Sequence, residues 1–412
     1  MLTGIGKKTP LVARFSTVSG EKGSADSSRD PRGFSLKFYT QQGNWDWVFN
    51  NTPIFFIRDP TLFPVFIHSQ KRNPQTNLKD ADMYWDYLST HQESVHEVMH
   101  LFSDRGTPTS YRHMNGYSSH TYKLTQPTGT FVYVQFHCLT NQGSQSLTGP
   151  QAAHLSSTNP DHHTQDLFAS IESGTFPSWT VHLQTLTPSQ AEAFPINIFD
   201  LTKVWPHSLA PLRPIGKFTL NRNPQNYFAE IEQAAFSPSH MVPGVEPSAD
   251  PVLQARLFSY PDTHRHRLGT NYHQIPVNKP LNAFNPLQRD GGMVVNGNYG
   301  STPNYESSYR PLTYKPINPV ASAAHENWVG KATNAVFGEV TDEDFVQARG
   351  LWEVLGRTEG QQENFVRNVA GHLKGARGET RERTYGMFAR VDGELGRRVR
   401  EETEREARAQ LV

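Results

Sequence analysis

Apolar and polar residues alternate in short runs over the first 220 positions, with loops rich in Gly, Pro and Asn between the runs. A period of two is typical of half-buried β-strands. The pattern predicts strands at 11–15, 33–39, 128–139, 178–186 and 215–221. Long intervening segments separate the predicted strands. This pattern favours an antiparallel barrel with insertions over a βαβ fold.

Two helices are predicted in the middle of the chain. The first covers about 80–102 and ends at a segment, 104–108, that contains Gly106 and Pro108. The second covers 252–260, where Asp250 is a good N-cap and Pro251 suits the first helical position. We expect Pro261 to end this second helix.

The pattern changes twice more toward the C-terminus. Residues from about 221 to 331 are rich in Pro, Asn, Gly and Tyr and show no period, which favours an ordered segment draped over the body. Farther on, Phe365, Val369 and Leu373 recur every four positions among charged residues, as in an amphipathic helical domain. We therefore predict three regions: a barrel with inserted helices at 1–222, a wrapping segment at 223–335 and a helical domain at 336–412.

Composition narrows the class of protein. The chain has 39 Lys+Arg and 39 Asp+Glu, which argues against nucleic acid or an acidic membrane as a partner. A mean hydropathy of -0.61 and the lack of a long apolar run predict no membrane-spanning helix. The lone Cys138 excludes a disulfide framework and a Cys-rich zinc site. With no signal peptide and no C-terminal Ser-Lys-Leu-type address, we expect an intracellular location, in the peroxisome or the cytoplasm.

Candidate chemistry lies on and just after the 252–260 helix. Arg256 and Tyr260 are four residues apart and so share a helix face, where a guanidinium favours the anionic phenolate, a strong ligand for ferric iron. On spacing alone, a tyrosine packed on an arginine stem remains the simpler interpretation. His264 and His266, two residues apart, are an alternative pair of metal ligands if the segment is a strand, although no carboxylate or cysteine cluster accompanies them.

Residues 256–267, with the sequence RLFSYPDTHRHR, resemble the haem-ligand signature of the monofunctional haem catalases. Blocks at 15–18, 29–34, 50–59, 104–106, 113–117, 199–207 and 220–224 resemble the same family, most closely its small-subunit members. The resemblance implies an α+β fold: an eight-stranded antiparallel β-barrel, a long wrapping segment and a C-terminal α-helical domain. It also implies haem b, a homotetramer, and the conversion of hydrogen peroxide to water and dioxygen in protection against oxidative stress.

The resemblance assigns roles to individual residues. It makes Tyr260 the iron ligand, because a tyrosine holds the haem iron in catalases. It makes Arg256 the partner of the Tyr260 phenolate and Asn50 the catalytic amide that hydrogen-bonds peroxide. The other haem-site positions are Arg14, Ser16, Phe63, His120, Asp250 and Arg267, and those that line the substrate channel are Val18, Asp30, Phe55 and Phe56.

A second cofactor, NADPH, is also implied. The positions that match its site in the family are His96, Ser103, Arg105, Asn115, Tyr117, Trp205 and His207. Three others depart from the family pattern, because His100 replaces an aromatic residue and Leu139 and Ser208 replace lysines. Losing two cations weakens a phosphate-binding site.

The family also has a distal histidine and an N-terminal arm upstream of the block that begins at Gly4. The first histidine of this chain is His68, so we expect the histidine, its strand and the arm to be missing, which would leave two open barrel edges. Three interpretations follow: a haem catalase, a truncated haem-binding protein with little or no turnover, and a non-haem metal enzyme that uses His264 and His266.

Overall fold

A single antiparallel sheet forms the body of this computed structural model, which describes residues 4–282, 287, 289–292, 294, 296–311 and 338–409. Its strands are β1 (Leu11–Thr17), β2 (Arg32–Thr40), β3 (Gly43–Asn50), β4 (Gly116–Tyr117), β5 (Tyr122–Thr125), β6 (Phe131–Thr140), β7 (Ser178–Leu186), β8 (Arg213–Thr219) and β9 (Val245–Pro247). They run in the order β1-β2-β3-β4-β6-β7-β8, and β5 pairs with both β6 and β9. The last strand, β9, comes from the region predicted to wrap the barrel.

The period-two pattern places aromatic side chains inside this sheet. Phe34 and Phe38 of β2 face inward with Trp47 of β3 and Phe136 of β6, and all four are at most 5% exposed. Trp47 and Phe136 approach to 4.8 Å between ring centroids. This aromatic core, rather than backbone pairing alone, sets which face of each strand points inward.

The sequence analysis missed β3 and misplaced some strand ends. β3 forms a hairpin with β2 in which Thr40 pairs with Gly43, whose φ of 118° favours glycine. Its alternation, Trp45, Trp47 and Phe49, is present in the sequence but was not used. Before β6, residues 127–129 form a turn that is closed by a hydrogen bond from Gln126 N to the Thr130 carbonyl at 2.8 Å.

Helices α1 to α7 interrupt or follow the strands, and α8 to α11 end the chain. They are α1 (Phe63–Ser69), α2 (Ala81–Thr90), α3 (Val95–Phe102), α4 (Gly149–Thr158), α5 (His162–Glu172), α6 (Pro188–Glu192), α7 (Pro251–Leu268), α8 (Glu343–Leu355), α9 (Gln361–Leu373), α10 (Gly378–Val391) and α11 (Gly393–Ala409). None of the helices in the described ranges is long and apolar enough to cross a membrane.

Two helix predictions were correct only in part. The predicted helix 80–102 is split into α2 and α3, because the Thr90 hydroxyl donates to the Asp86 carbonyl and His91 leaves helical geometry. The helix predicted to stop at Pro261 continues to Leu268. Tertiary hydrogen bonds hold the turns after the proline, since His264 Nε2 lies 2.7 Å from the Phe236 carbonyl.

The C-terminal helices share a second core with α2 and α3. Phe365, Phe388 and Trp85 are fully buried in it. Polar contacts reinforce the packing, because Trp85 Nε1 donates to His372 Nδ1 at 2.8 Å. The segment after β3 therefore lies between the sheet and this helical core.

Candidate active site

The pair at the centre of the site is Arg256 and Tyr260 on α7. Arg256 Nη2 donates to the Tyr260 hydroxyl at 2.8 Å and to the Val48 carbonyl at 2.9 Å. Burial alone would lower the pKa of Arg256, but the adjacent Tyr260 and Tyr122 outweigh it and raise that pKa above its usual range. Arg256 is thus a fixed cation directed at the Tyr260 oxygen, as the four-residue spacing predicted.

A buried His–Asp pair holds the start of the same helix. Asp250 Oδ1 caps α7 by accepting from the backbone N of Val252 and Leu253 at 2.9 and 3.0 Å, and Asp250 Oδ2 lies 2.6 Å from His120 Nδ1. Burial lowers the pKa of His120 even against the opposing effect of Asp250, so the ring is neutral at pH 7 and donates through Nδ1. This contact ties α7 to the turn before β5.

Two arginines near the site have no carboxylate partner among the described residues. Arg14 Nε on β1 is buried without a hydrogen-bond partner, and Arg267 donates only to the carbonyls of Glu232 and Ala234, at 2.6 and 3.0 Å, and to His264. Burial, followed by the charge of Arg14, lowers the pKa of Arg267. Two neighbouring cations of this kind suit an anionic group of the size of a propionate.

Apolar side chains surround Tyr260. Val48, Phe236 and Val277 are buried there, and Val12 and Ile275 pack against them together with the Tyr260 ring. The site thus joins a phenol oxygen, cations and an apolar wall, which is the combination that an amphipathic cofactor requires.

The register of the first three strands brings Ser16 and Asn50 into one row. Ser16 on β1 and Asn50 on β3 both pair with Gly33 on β2, from opposite sides. A Cβ at position 33 would lie 2.5 Å from Ser16 Oγ, so any larger residue there would force the Ser16 hydroxyl to move. No local pattern showed this proximity, which depends on strand pairing.

The predicted channel residues fall into two places. Asp30 Oδ2 accepts from the backbone N of Val18 and Ser19 at 2.6 and 2.8 Å, so Val18 and Asp30 are adjacent. Phe56 is buried against Phe66 at 4.6 Å between ring centroids, and Phe55, half-buried, packs on the same core. Phe63, at the start of α1, is 46% exposed.

The residues predicted to bind NADPH form two groups. In the first, Asn115 Nδ2 donates to the Tyr117 hydroxyl at 2.9 Å, and the rings of Tyr117, His137 and His207 follow one another at 5.5 and 6.2 Å. His137 was not among the predicted residues. It lies beside Tyr117 because β4 pairs with β6, a long-range contact that the sequence does not show. Tyr117 and Asn115 are half-buried, and His207 is exposed.

The second group centres on His96 and His100, whose rings are 5.0 Å apart on α3. Burial, with Lys203 and Arg105 nearby, lowers the pKa of His96 to about 3. Ser103 and Trp205 are buried, and Arg105 is exposed. Lys203 was inside a family block but was not singled out.

The alternative metal site at His264 and His266 is wrong. Both lie on α7, where residues two apart point to different faces, and His264 is buried while His266 is exposed. Within the described ranges, no group of three or more His, Cys, Asp or Glu could hold a metal ion.

Family models match most of the chain. A model for catalase covers residues 1–311, and one for the catalase-related immune-responsive domain covers 339–403. The catalase of Schizosaccharomyces pombe is 60% identical over 410 residues, which are 99% of this chain and 80% of that protein. The peroxisomal catalase of Pichia angusta is 56% identical over 408 residues, 98% and 80% of the two chains. The structure of catalase A from Saccharomyces cerevisiae matches with a TM-score of 0.93 at 54% identity, covering 98% of this chain and 84% of that one.

An antiparallel sheet with a half-buried Tyr–Arg pair and a helical C-terminal region defines an α+β class of protein. The chain belongs to the catalase family. Membership implies a haem cofactor, and it confirms the resemblance seen in residues 256–267.

Proposed function

We propose that this chain is a haem catalase that converts hydrogen peroxide to water and dioxygen and protects against oxidative stress. The observation that carries the proposal is the 2.8 Å contact between Arg256 and the Tyr260 hydroxyl, on a helix fixed by the His120–Asp250 pair. Relatives that are 54–60% identical over nearly the whole chain are named catalases. They favour an enzyme over a haem-binding protein without turnover.

The residues present fit haem b. Tyr260 offers the anionic oxygen ligand, and Arg14 with its unpartnered Nε suits a propionate together with Arg267. When bound, the haem would supply the redox chemistry of the reaction. Arg256 holds a guanidinium against the Tyr260 oxygen, where it would stabilise a phenolate that ligates the iron. Val12 and Val48 exclude water from the same face.

Asn50 and Ser16 are proposed to act on the opposite, peroxide-binding side. The Asn50 amide can orient peroxide by donating and accepting hydrogen bonds, but it does not titrate near neutral pH and cannot move a proton between the two oxygens. Phe63 is proposed to stack on the haem on this side. Val18, Asp30, Phe55 and Phe56 are proposed to line the approach.

A groove between β1 and β8 supports a further proposal about the group that transfers the proton. In the described part of the chain, β1 pairs only with β2 and β8 only with β7, so each keeps one open edge. The cavity between them, about 1530 Å³, is lined by Phe38, Trp47 and Phe218 of the barrel interior. We propose that an extended strand fills this groove and carries the distal histidine, because a groove between two unpaired strand edges is a site for strand addition.

NADPH is proposed as a second ligand, held by His96, Ser103, Arg105, Asn115, Tyr117, Trp205 and His207. The geometry that supports the proposal is the contact of Asn115 Nδ2 with the Tyr117 hydroxyl and the proximity of the Tyr117 and His207 rings to that of His137. The test is retention of NADPH during purification, with Arg105→Ala as the variant expected to lose it.

We also propose a homotetramer in the peroxisome. The names of the relatives from Pichia angusta and Saccharomyces cerevisiae include "peroxisomal", which supports the location. Analytical ultracentrifugation tests the tetramer, and microscopy of a fluorescent fusion tests the location.

The enzyme itself is tested by oxygen evolution. The purified chain, loaded with haem, should release one dioxygen for every two peroxides consumed. Peroxide loss that occurs only with an added organic reductant would instead indicate a peroxidase and contradict the proposal.

A further inference from the structure

Ser119 has a backbone conformation that serine seldom adopts. Its φ is 54°, in the left-handed region that favours glycine. The backbone N of His120 donates to the Ser118 carbonyl at 2.5 Å, so Ser119 is the central residue of a γ-turn. A γ-turn with a positive central φ is the rare, strained form. Strain of this kind persists only where surrounding contacts hold the residue, and it clusters at functional sites.

Two hydrogen bonds hold Ser119 in this conformation. Its Oγ donates to the Thr52 carbonyl at 3.1 Å, and Gln135 Nε2 on β6 donates to the Ser119 carbonyl at 3.2 Å. Gln135 is 5% exposed, so its amide is a fixed donor. The side chain of Ser119 therefore reaches the segment after β3, while its backbone stays attached to β6.

The Thr52 carbonyl belongs to the turn that follows Asn50, the last residue of β3. Arg32 fixes the first residue of this turn, because Asn51 N donates to the Arg32 carbonyl at 2.9 Å and Asn51 Oδ1 accepts from Arg32 N at 2.7 Å. At the next position, the Ser119 hydroxyl holds the backbone. The turn after Asn50 is thus attached to β2 on one side and to the γ-turn on the other.

The same γ-turn also leads to α7. His120, the residue after Ser119, lies with its Nδ1 2.6 Å from Asp250 Oδ2, and Asp250 caps the helix that carries Tyr260. One short turn therefore contacts both the backbone beside Asn50 and the cap of the Tyr260 helix. A shift of this turn would change the spacing between Asn50 and Tyr260.

We infer that Ser119 is a positioning residue whose γ-turn ties the turn after Asn50 to the His120–Asp250 pair, and so fixes the spacing between Asn50 and Tyr260. Ser119 acts through the backbone of its neighbours. The part that concerns the action of Asn50 on peroxide rests on the proposed function, whereas the tie itself does not.

Two substitutions separate the hydroxyl from the strain. Ser119→Ala removes the hydroxyl and keeps the strained φ, whereas Ser119→Gly removes the hydroxyl and relieves the strain. We expect the melting temperature of Ser119→Ala to fall below that of wild type and that of Ser119→Gly to exceed that of Ser119→Ala. A glycine variant that is no more stable than the alanine variant would contradict the strain.

The matched control is Ser157→Ala on α4. It removes a hydroxyl that donates to the His154 carbonyl at 2.8 Å, a contact of the same kind on an exposed helix.

Hydrogen exchange measures the tie without turnover. In the haem-loaded chain, the backbone amides of residues 51–55 should exchange faster in both Ser119 variants than in wild type, and at the wild-type rate in Ser157→Ala. The amides at positions 51 and 55 are hydrogen-bonded, so their protection reports whether the turn stays in place. Unchanged exchange in both Ser119 variants would overturn the inference.

Cyanide binding to the ferric haem measures the position of Asn50. The Asn50 amide can donate a hydrogen bond to an anion on the iron, so its displacement should weaken cyanide binding. We expect the Kd to rise about three- to tenfold in both Ser119 variants, the range of one hydrogen bond. In an Asn50→Ala background, Ser119→Ala should have no further effect. An equal effect in both backgrounds would overturn the positioning of Asn50 by Ser119.

The outcomes separate this inference from the proposed function. If wild type with bound haem evolves no dioxygen, the proposed function fails, while hydrogen exchange and the cyanide measurements still decide the role of Ser119. If Asn50→Ala binds cyanide as wild type does, the proposed role of Asn50 fails, and the exchange rates of residues 51–55 alone decide whether the tie exists.

Discussion

Arg14 and Arg267 are neighbouring cations, and neither forms an ion pair with a carboxylate among the described residues. Burial, followed by the charge of Arg14, lowers the pKa of Arg267, and Glu232 opposes this only in part, so the protein alone leaves a repulsion between the two guanidinium groups. Haem propionates would relieve it. At the scale of single residues, the site is thus organised for an anionic ligand before any ligand is bound.

The iron ligand is the first residue-scale prediction. Tyr260→Phe keeps the ring and removes the only anionic oxygen proposed for the iron, so stoichiometric haem should be lost. Haem per chain, measured by the pyridine haemochrome spectrum, is the readout. Tyr272→Phe is the matched control, because the Tyr272 hydroxyl is buried and unpartnered away from Arg256. Full haem content and an unchanged ferric spectrum in Tyr260→Phe would remove this residue from the site.

Arg256 is expected to tune the iron through the phenolate. Arg256→Leu removes the cation that stabilises the anionic oxygen, so the reduction potential of the bound iron should rise. We expect a rise of about 60 mV or more, which corresponds to a tenfold change for a one-electron couple. Spectroelectrochemistry measures it, with Arg256→Lys as the charge-preserving control. An unchanged potential in the leucine variant would leave Arg256 a packing role only.

At the scale of elements, α7 is held by its two ends. Asp250 caps the first turn and binds His120, and Arg267 and His264 bind the backbone carbonyls of residues 232–236 through the last turns. These contacts explain how the helix continues through Pro261. They also mean that the position of Tyr260 depends on residues ten places away in sequence.

The cap of α7 can be tested by stability. Asp250→Ala removes two backbone hydrogen bonds and the partner of His120, so the free energy of unfolding should fall by about 1–3 kcal/mol. Asp250→Asn still caps the helix and should recover most of that loss. Chemical denaturation of both variants is the measurement, and equal losses for alanine and asparagine would show that charge, not capping, dominates.

A buried charge network joins the barrel side to α8. Asp344 Oδ1 lies 2.7 Å from Arg58 Nη1 and 2.5 Å from Lys203 Nζ. Burial alone would raise the pKa of Asp344, but Lys203 and Arg58 outweigh it and hold that pKa below its usual range. The segment after β3 and the helical region therefore share one carboxylate.

Removing the Asp344 carboxylate should destabilise the contact between the segment after β3 and α8. Asp344→Asn leaves two buried cations with only Asp200, and we expect a loss of about 3 kcal/mol at neutral pH. Because the folded pKa is depressed, the stabilisation is present above about pH 4 and is lost as pH falls through the folded value. Unfolding curves for wild type and variant should therefore converge in acid. A constant difference down to pH 2 would mean that the charge of Asp344 contributes nothing.

At the scale of the whole molecule, local patterns predicted most strands and the helical end of the chain. Apolar residues repeat every two positions in strands and nearly every four in helices, and both periods can be recognised from residues close together in sequence. They could not predict that Ser16 and Asn50 meet across Gly33, since strand register is a long-range property. Nor could they show that Phe56 turns into the helical core. The Tyr260–Arg256 contact was predictable because both residues lie on one helix.

The open groove between β1 and β8 bears on the whole molecule as well. If a strand with a histidine fills it, the 412-residue chain with haem should turn over peroxide about 10² to 10⁴-fold more slowly than a version extended by such a strand, the usual contribution of a general acid–base group. The control extension carries glutamine instead of histidine. Equal rates for the two extensions would show that the base comes from elsewhere.

Oxygen evolution from peroxide by the purified, haem-loaded chain tests the central claim most directly. The account predicts one dioxygen per two peroxides without an added reductant, and loss of that activity together with haem in Tyr260→Phe but not in Tyr272→Phe. A chain that binds haem through Tyr260 yet releases no dioxygen, with or without the histidine-bearing extension, would contradict it.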